Sequence, residues 1–193
     1  MAAAGKPRIG IIIGSTRPGR NGDAVAQWVY KLASQRADAE YELVDLIDYD
    51  LPLLDEAIPP VYGRYQHAHT LEWAARVASF DGYVFVTPEY NHSPSAALKN
   101  AIDFVSAEWN NKAAGFVSYG GHGGTRAVEM LRLVMGSLQV ADVGEQVVLS
   151  LFSDFENFSE FKPGGQHLPS LTTMLDQLVA WSAALAPVRA AAA

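Results

Sequence analysis

The stretch GSTRPGRNG, residues 14 to 22, has the residue types that bind phosphate and directly follows the apolar run IGIII. Gly14 and Gly19 frame four residues, as in the opening of a nucleoside-triphosphate P-loop. Such a loop continues with Lys and then Ser or Thr, whereas this one continues with Arg20 and Asn21. Arg has the wrong geometry for that Lys, and Asn is a poor magnesium ligand beside a hydroxyl. The pattern excludes a triphosphate site.

The same loop suits a single terminal phosphate. It offers side-chain donors, glycines that allow close backbone approach, and two cations that either contact the anion or are solvated: Gly14, Ser15, Thr16, Arg17, Gly19, Arg20, Asn21 and Gly22. A helix that starts behind the loop would point its positive end at the anion. A two-nucleotide Rossmann site fits less well, because its G-x-G-x-x-G motif is absent. Only Asp45, near the end of the second expected strand, resembles a residue of such a site. An ordinary surface turn is the other interpretation.

Two further loops are equally rich in polar groups and glycine. TPEYNHSPS supplies a rigid turn, a carboxylate, a flat aromatic ring and an amide, from Pro88, Glu89, Tyr90 and Asn91. SYGGHGGT, which begins at Ser118, leaves its backbone open because four of its residues are glycine. A planar heterocycle with imide edges, such as an isoalloxazine ring, needs such backbone groups with little steric bulk.

Strands and helices alternate along the chain and would bring these loops together. The expected strands are PRIGIIIG, YELVDL, GYVFVTP, AAGFVSYGG and either LQVADV or QVVLSLF. The expected helices begin near Asp23, Thr70, Ser95, Thr125 and Leu168, and the second is expected to bury Leu71, Ala74, Ala75 and Ala78. Such alternation predicts a doubly wound parallel sheet covered on both faces. Ligands of these folds bind at the carboxyl ends of the strands, where all three loops would lie.

The bulk properties limit the function classes. With 193 residues the chain is expected to form one domain, residues 1–193, with residues 1–7 and 187–193 flexible. The formal charge of −7 argues against nucleic acid as a partner. The absence of cysteine excludes disulfides and a thiol nucleophile. No apolar run approaches the roughly 18 residues of a membrane span, so a soluble cytoplasmic protein without a membrane partner is expected.

GSTRPGRNG, TPEYNHSPSAALKNAID and SYGGHGGTRA, in this order and spacing, resemble the NAD(P)H-dependent FMN reductases of flavodoxin-like fold, which include chromate and quinone reductases and some azoreductases. The resemblance implies a three-layer α/β/α sandwich with a five-stranded parallel sheet in the order 2-1-3-4-5. It also implies non-covalent FMN. Its phosphate would lie near Ser15, Arg17, Asn21 and Gly22, its ribityl chain and ring along Pro88, Glu89, Tyr90 and Asn91, and the far edge of the ring against Ser118, Tyr119, Gly120 and Gly121. Gly14 and Arg20 complete the predicted cofactor-binding residues.

The implied reaction passes hydride from NADPH or NADH to flavin N5 and then two electrons to a small acceptor, in ping-pong order. The acceptor would be a quinone, an azo compound, a metal oxyanion or free flavin. No side chain is nominated as a catalytic acid or base, and no metal site is expected at His67 and His69. A homodimer or homotetramer is expected, with the Pro-rich residues 55–70 helping to cover a neighbour's flavin. Residues 140–166 contain no recognisable motif of the family and are expected to shape substrate preference.

Two other functions stay open at this point. A flavodoxin-type electron carrier would bind FMN without turning over NAD(P)H, although such carriers usually have a Thr/Ser-rich phosphate loop and a strongly acidic rim. A hydrolase or transferase of a phosphorylated metabolite could use the same phosphate loop, but no nucleophile is apparent.

Overall fold

The computed structural model describes residues 5–192. The strands are β1 (Arg8–Ile13), β2 (Glu40–Asp45), β3 (Gly82–Pro88), β4 (Ala113–Gly120), β5 (Ala141–Ser150), β6 (Phe155–Glu156) and β7 (Glu160–Phe161). The helices are α1 (Gly22–Ala33), α2 (Ala68–Ala78), α3 (Ala96–Asp103), α4 (Thr125–Ser137), α5 (His167–Ala184) and α6 (Ala186–Ala192). Short 3₁₀ turns occupy Leu46–Tyr49, Pro60–Tyr62 and Ala107–Trp109. Within the described residues, no helix is both long and apolar enough to cross a membrane.

The five long strands form one parallel sheet in the order β2-β1-β3-β4-β5, which confirms the predicted topology. Its register aligns the strand ends that carry the candidate loops. Ile13 pairs with Val86, and Pro88 pairs with Tyr119. The loops after β1, β3 and β4 therefore leave the sheet at the same edge, as the doubly wound arrangement requires.

Two apolar cores lie on opposite faces of the sheet. One face packs against α1 and α5, and the other packs against α2, α3 and α4. Every residue of β3 and β4 is buried, because helices cover both sides of these two strands. The three-layer α/β/α prediction is confirmed, and the rigid sheet fixes the positions of the loops at its edge.

The sequence prediction for the buried face of α2 was wrong. Of the four predicted residues only Ala74 is buried, whereas Leu71 is 53% exposed and Ala75 and Ala78 are also exposed. The helix buries Thr70, Trp73 and Val77 beside Ala74. The indole of Trp73 determines this orientation, since its Nε1 donates to the carbonyl of Ala101 at 2.7 Å inside the core. The helical period was correct, but the bulkiest residue sets the rotation of the helix about its axis.

The fifth strand contains parts of both stretches that the sequence left open. β5 runs through Val143 and Val147, and its pairing with β4 is irregular between Ala114 and Phe116. At the chain ends, residues 1–4 and 193 lie outside the described residues. Residues 186–192 form α6, so flexibility of the two termini stays a prediction.

Candidate functional site

Backbone and hydroxyl contacts join the three candidate loops at the carboxyl edge of the sheet. The amide of Gly14 donates to the carbonyl of Val86 at 2.8 Å. The Ser95 hydroxyl donates to the carbonyl of Gly14. The amide of Glu89 donates to the carbonyl of Tyr119 at 3.1 Å. The first loop is therefore fixed to the second, and the second to the third, as the sequence predicted from strand order.

The first loop ends at the start of α1. Ser15 is buried, and its hydroxyl oxygen lies 3.3 Å from that of Tyr90 and accepts a long hydrogen bond of 3.4 Å from the amide of Arg17. The Arg17 side chain is exposed. Asn21 occupies the N-cap position of α1 without capping it, because its Nδ2 donates to the carbonyl of Phe158 at 2.8 Å. The amides at the start of α1 are left available to an anion.

Arg20 points away from the loop and towards the end of β2. Its guanidinium makes two hydrogen bonds to the carboxylate of Asp45, one of them 2.7 Å long, and donates to the carbonyl of Ser15 at 2.6 Å. The Asp45 carboxylate raises the pKa of Arg20 above its ordinary value, even though partial burial opposes this. Asp45 also accepts from the amide of Ile47 at 3.1 Å. Arg20 thus fixes the shape of the first loop, while Arg17 is the cation on its outer surface.

A buried hydroxyl without a partner lies beneath the start of α1. Tyr119 is only 5% exposed, and its hydroxyl has no hydrogen-bond partner in the described part of the chain. A Cβ at Gly22 would lie 2.8 Å from this oxygen, so only glycine fits there. Burial raises the pKa of Tyr119 above its ordinary range. An unsatisfied donor beside the positive end of a helix fits a bound phosphate.

The second loop forms a tight turn that presents the Tyr90 ring. The amide of Tyr90 donates to the carbonyl of Ser93 at 2.9 Å, and the amide of Ser93 donates to the carbonyl of Tyr90 at 3.1 Å. Between them, Asn91 and His92 have φ angles of 51° and 67°, the left-handed values of a type I′ turn. Left-handed backbone at two consecutive residues that are not glycine is unfavourable and is typical of functional loops. Pro88 is buried at the end of β3, and Tyr90 is 37% exposed.

The third loop leaves its backbone open. Gly123 and Gly124 have φ angles of 72° and 75°, and a Cβ at Gly124 would lie 2.8 Å from the Cβ of Ser118. The buried Ser118 hydroxyl donates to the carbonyl of Gly123 at 2.7 Å and so holds the loop in shape. Gly120 is buried and Gly121 is exposed at the rim. A ligand can reach the backbone of Gly121 at this rim, where a Cβ would have only the Phe152 ring within 4 Å.

The ring of Tyr119 points below the loop and does not line its open face. It packs against Phe155, with 6.2 Å between the ring centroids. Only its backbone and its hydroxyl are therefore placed to contact a ligand, the hydroxyl at the start of α1.

The partner of Glu89 was not among the residues predicted from the sequence. The Glu89 carboxylate accepts from the guanidinium of Arg126 at 2.6 Å and from its backbone amide at 3.2 Å. Arg126 lies in the first turn of α4, where a carboxylate also interacts favourably with the helix dipole. The Glu89 side chain thus joins the second loop to α4. The signal in the sequence was an arginine directly after the Gly-Gly-Thr that opens a helix.

Ser95, expected from the sequence only as the start of a helix, also fixes the first loop. Its hydroxyl accepts from the amide of Leu98 at 3.1 Å and caps α3, and it also donates to the carbonyl of Gly14. A serine followed by a helical apolar pattern is the usual sign of such a cap.

His67 is the N-cap residue of α2, and His69 lies in the first turn of that helix. Their rings stack with 5.2 Å between centroids, and Nε2 of His69 lies 3.0 Å from Oδ1 of Asp55. Among residues 5–192, no group of three or more His, Cys, Asp or Glu side chains is arranged to hold a metal ion.

The fold is flavodoxin-like, and three polar, glycine-containing loops meet at the carboxyl edge of its sheet. The sequence matches the family "NADPH-dependent FMN reductase" over residues 7–154. It is 40% identical over 150 residues to an NAD(P)H-dependent FMN reductase of Schizosaccharomyces pombe, covering 77% of this chain and 75% of the relative. It is 28% identical over 186 residues to a quinone reductase of Pseudomonas putida, covering 90% and 93%.

A similar fold is found in the flavoenzyme NAD(P)H:(acceptor) oxidoreductase FerB from Paracoccus denitrificans, with a TM-score of 0.70 at 21% identity over 91% of this chain and 97% of that one. The chain belongs to the NADPH-dependent FMN reductase family. It is therefore an oxidoreductase that uses FMN and a reduced nicotinamide dinucleotide.

Proposed function

We propose that this protein takes hydride from NADPH or NADH and reduces a small acceptor by two electrons through bound FMN, in ping-pong order. The acceptor is a quinone, an azo compound, a metal oxyanion or free flavin. The observation that carries the proposal is the junction of three loops at one sheet edge, with an unpartnered buried hydroxyl at the start of α1. A relative named quinone reductase, aligned over most of the chain, supports a small-molecule acceptor.

The phosphate of FMN is assigned to the first loop. Ser15, Asn21 and the Gly22 amide supply donors, and the Tyr119 hydroxyl supplies one more from below. The exposed Arg17 adds positive charge. Gly14 is required for a different reason, because a Cβ there would lie 2.8 Å from the carbonyl oxygen of Val86. Arg20 acts as a positioning residue through its ion pair with Asp45.

The ribityl chain and the ring are assigned to the second and third loops. Pro88 and Glu89 shape the floor, Tyr90 and Asn91 flank the ligand, and the backbone from Ser118 to Gly121 faces the ring's far edge. When bound, FMN supplies the hydride-accepting and electron-donating chemistry. The chain's own residues bind and orient the reactants and exclude water. No side chain acts as the acid or base.

We also propose that the protein assembles as a homodimer or homotetramer through α3, α4 and the segment before α2. A groove of about 400 Å³ separates these elements, and Val61, Met130 and Leu133 along it are 70%, 46% and 73% exposed. The groove borders an apolar depression of about 430 Å³ that reaches Tyr90. A second copy covering this surface would lie beside the candidate site. The proposed location is the cytoplasm, where reduced nicotinamide dinucleotides are available.

Purified protein tests the proposal. We expect a yellow protein, or one that becomes yellow with added FMN, and steady NADPH or NADH oxidation when a quinone is present. Initial rates with both substrates varied should give parallel double-reciprocal lines. A protein that binds FMN but oxidises neither nucleotide would be an electron carrier instead. One that never binds FMN would contradict the whole proposal.

A further inference from the structure

A short hairpin after β5 lies beside the candidate site. Its strands β6 and β7 pair Phe155 with Phe161, and Phe155 packs on the Tyr119 ring. Phe161 packs against Trp28 of α1, with 5.8 Å between ring centroids. The hairpin is thus seated on α1 next to the first loop. It belongs to residues 140–166, the stretch that sequence analysis connected with substrate preference.

A buried carboxylate anchors the base of this hairpin. Asp154 is 1% exposed, and its Oδ1 lies 2.7 Å from Nε2 of His167 at the start of α5. Its Oδ2 accepts from the amide of Ser150 at 2.8 Å, at the end of β5. The amide of Lys162 donates to the carbonyl of Asp154 at 2.8 Å. The hairpin is therefore held at both of its ends and presents its tip in a fixed position.

Two phenylalanines of this segment face outward. Phe152 is 73% exposed and Phe158 is 59% exposed. Their rings meet edge to face, with 5.7 Å between centroids and an interplanar angle of 85°. We call these two residues the aromatic pair. Exposed aromatic rings held in one geometry are typical of ligand contacts.

The aromatic pair spans the gap between the first and third loops. A Cβ at Gly121 would lie 3.7 Å from Cε2 of Phe152, so this ring borders the open glycine loop. The backbone carbonyl of Phe158 accepts from Asn21, which places the backbone that carries the second ring beside the first loop. Arg17, whose exposed side chain makes no ion pair within residues 5–192, lies on that same loop.

We propose that the aromatic pair is the adenine subsite for the nicotinamide dinucleotide, an inference that rests on the proposed function. Adenine is planar and stacks on aromatic side chains. Its attached phosphates would lie near the cationic side chain of Arg17. A quinone or other small acceptor reacts at the flavin and needs no second aromatic contact, whereas a dinucleotide carries a second ring that must lie outside the reacting centre. This favours adenine as the occupant.

The test uses the FMN-loaded enzyme and the double variant Phe152→Ala/Phe158→Ala. These substitutions keep the Phe158 carbonyl that Asn21 contacts. Trp181→Ala is the matched control, because Trp181 is also half exposed but lies on α5 next to Ser182, which packs on Gly82 at the opposite sheet edge. Each protein is assayed with NADPH and with reduced nicotinamide mononucleotide, a hydride donor without adenine.

We expect kcat/KM for NADPH to fall about tenfold in the double variant, the usual scale of one aromatic–base stack. With reduced nicotinamide mononucleotide, kcat/KM should stay within about twofold of the wild type, because no adenine contact is lost. FMN content and the oligomeric state should not change. Phe152→Trp and Phe158→Tyr, which keep a flat ring, should retain most of the efficiency with NADPH.

An equal loss with both donors, or no loss with NADPH, would overturn the adenine subsite. A change in oligomeric state with unchanged NADPH kinetics would overturn it as well and would assign the pair to contact with a second copy. A holoenzyme giving either result still leaves the proposed function in place. A wild-type protein that binds no FMN would remove the proposed function itself and this inference with it.

Discussion

The hydroxyl oxygens of Ser15 and Tyr90 lie 3.3 Å apart, although 75 residues separate them in sequence. This contact joins the first loop to the turn after β3. It exists because β1 and β3 are neighbours in the sheet, with Ile13 paired to Val86 immediately before the two loops. The site is therefore built by strand order, and its polar groups come from separate segments of the chain.

Ser15→Ala tests the phosphate assignment. A hydrogen bond to a charged group contributes about 1.5–3 kcal/mol, so we expect FMN to bind at least tenfold more weakly. Riboflavin, which lacks the phosphate, should bind the variant and the wild type alike. Quenching of flavin fluorescence measures both affinities. Ser34→Ala, at the exposed far end of α1, is the control. An equal loss of affinity for riboflavin and FMN would show that Ser15 contacts a part of the cofactor other than its phosphate.

Gly22→Ala tests the close approach between α1 and Tyr119. The new Cβ would lie 2.8 Å from the tyrosine hydroxyl, so we expect a loss of about 1–3 kcal/mol in the free energy of unfolding. Adding Tyr119→Phe should restore most of it. Gly136→Ala is the matched control, because nothing lies within 4 Å of its Cβ, and it should stabilise α4 by about 0.5–1 kcal/mol. Urea unfolding measures each variant. Similar effects of Gly22→Ala and Gly136→Ala would contradict the steric account.

Tyr119→Phe separates stability from cofactor binding. The buried hydroxyl has no partner among the described residues, so its removal should leave the FMN-free protein as stable as the wild type or slightly more stable. FMN affinity should fall about fivefold, corresponding to roughly 1 kcal/mol, if the hydroxyl donates to the phosphate. Thermal unfolding without FMN and a flavin titration give the two quantities. Unchanged FMN affinity would show that this hydroxyl does not contact the cofactor.

Lys112 should make stability depend on pH. Its ammonium is buried and donates to the carbonyls of Val77 and Ala78 at 2.7 and 3.1 Å and to the Tyr83 hydroxyl at 3.0 Å. Burial, together with a smaller effect of the charge of nearby Arg189, lowers the pKa of Lys112 from 10.5 to about 7. Between these two pH values the unfolded chain holds a proton that the folded chain has released.

The free energy of unfolding should therefore rise with pH from about 7 towards 10, by at most about 1.4 kcal/mol per pH unit from this group. Lys112→Met should remove this slope while other titrations remain. Urea unfolding of both proteins across that range measures the difference between them. Two parallel profiles would mean that Lys112 keeps its charge in the folded state, held by its three oxygen acceptors.

The strands and the three loops could be predicted because buried parallel strands are short, continuous apolar runs that end at glycine or polar turns. GYVFVTP and AAGFVSYGG match β3 and β4 almost residue for residue. The right-handed crossover rule then leaves few topologies. Local sequence was sufficient for the strands, the loops and the doubly wound layout, whereas the strand order 2-1-3-4-5 was implied by the resemblance to the FMN reductases.

Side-chain partners were harder to predict because they depend on tertiary geometry. Arg20 is a residue type that commonly binds phosphate, but its guanidinium forms an ion pair with Asp45 at the end of β2. The hairpin that carries Phe158 gives no turn signature in the sequence, because Asn157 and Phe158 both adopt left-handed φ, which phenylalanine rarely does. The prediction of the buried face of α2 was wrong for a similar reason, because the packing of Trp73 outweighed the local pattern.

Amide NMR spectra recorded during a titration with FMN test the central claim most directly, because each loop reports separately. We expect the largest chemical-shift changes in residues 14–22, 88–93 and 118–124, with all three groups saturating at the same FMN concentration. Amides around Lys112, at the opposite sheet edge, should not move. Shifts confined to one loop, or centred away from this edge, would contradict the account.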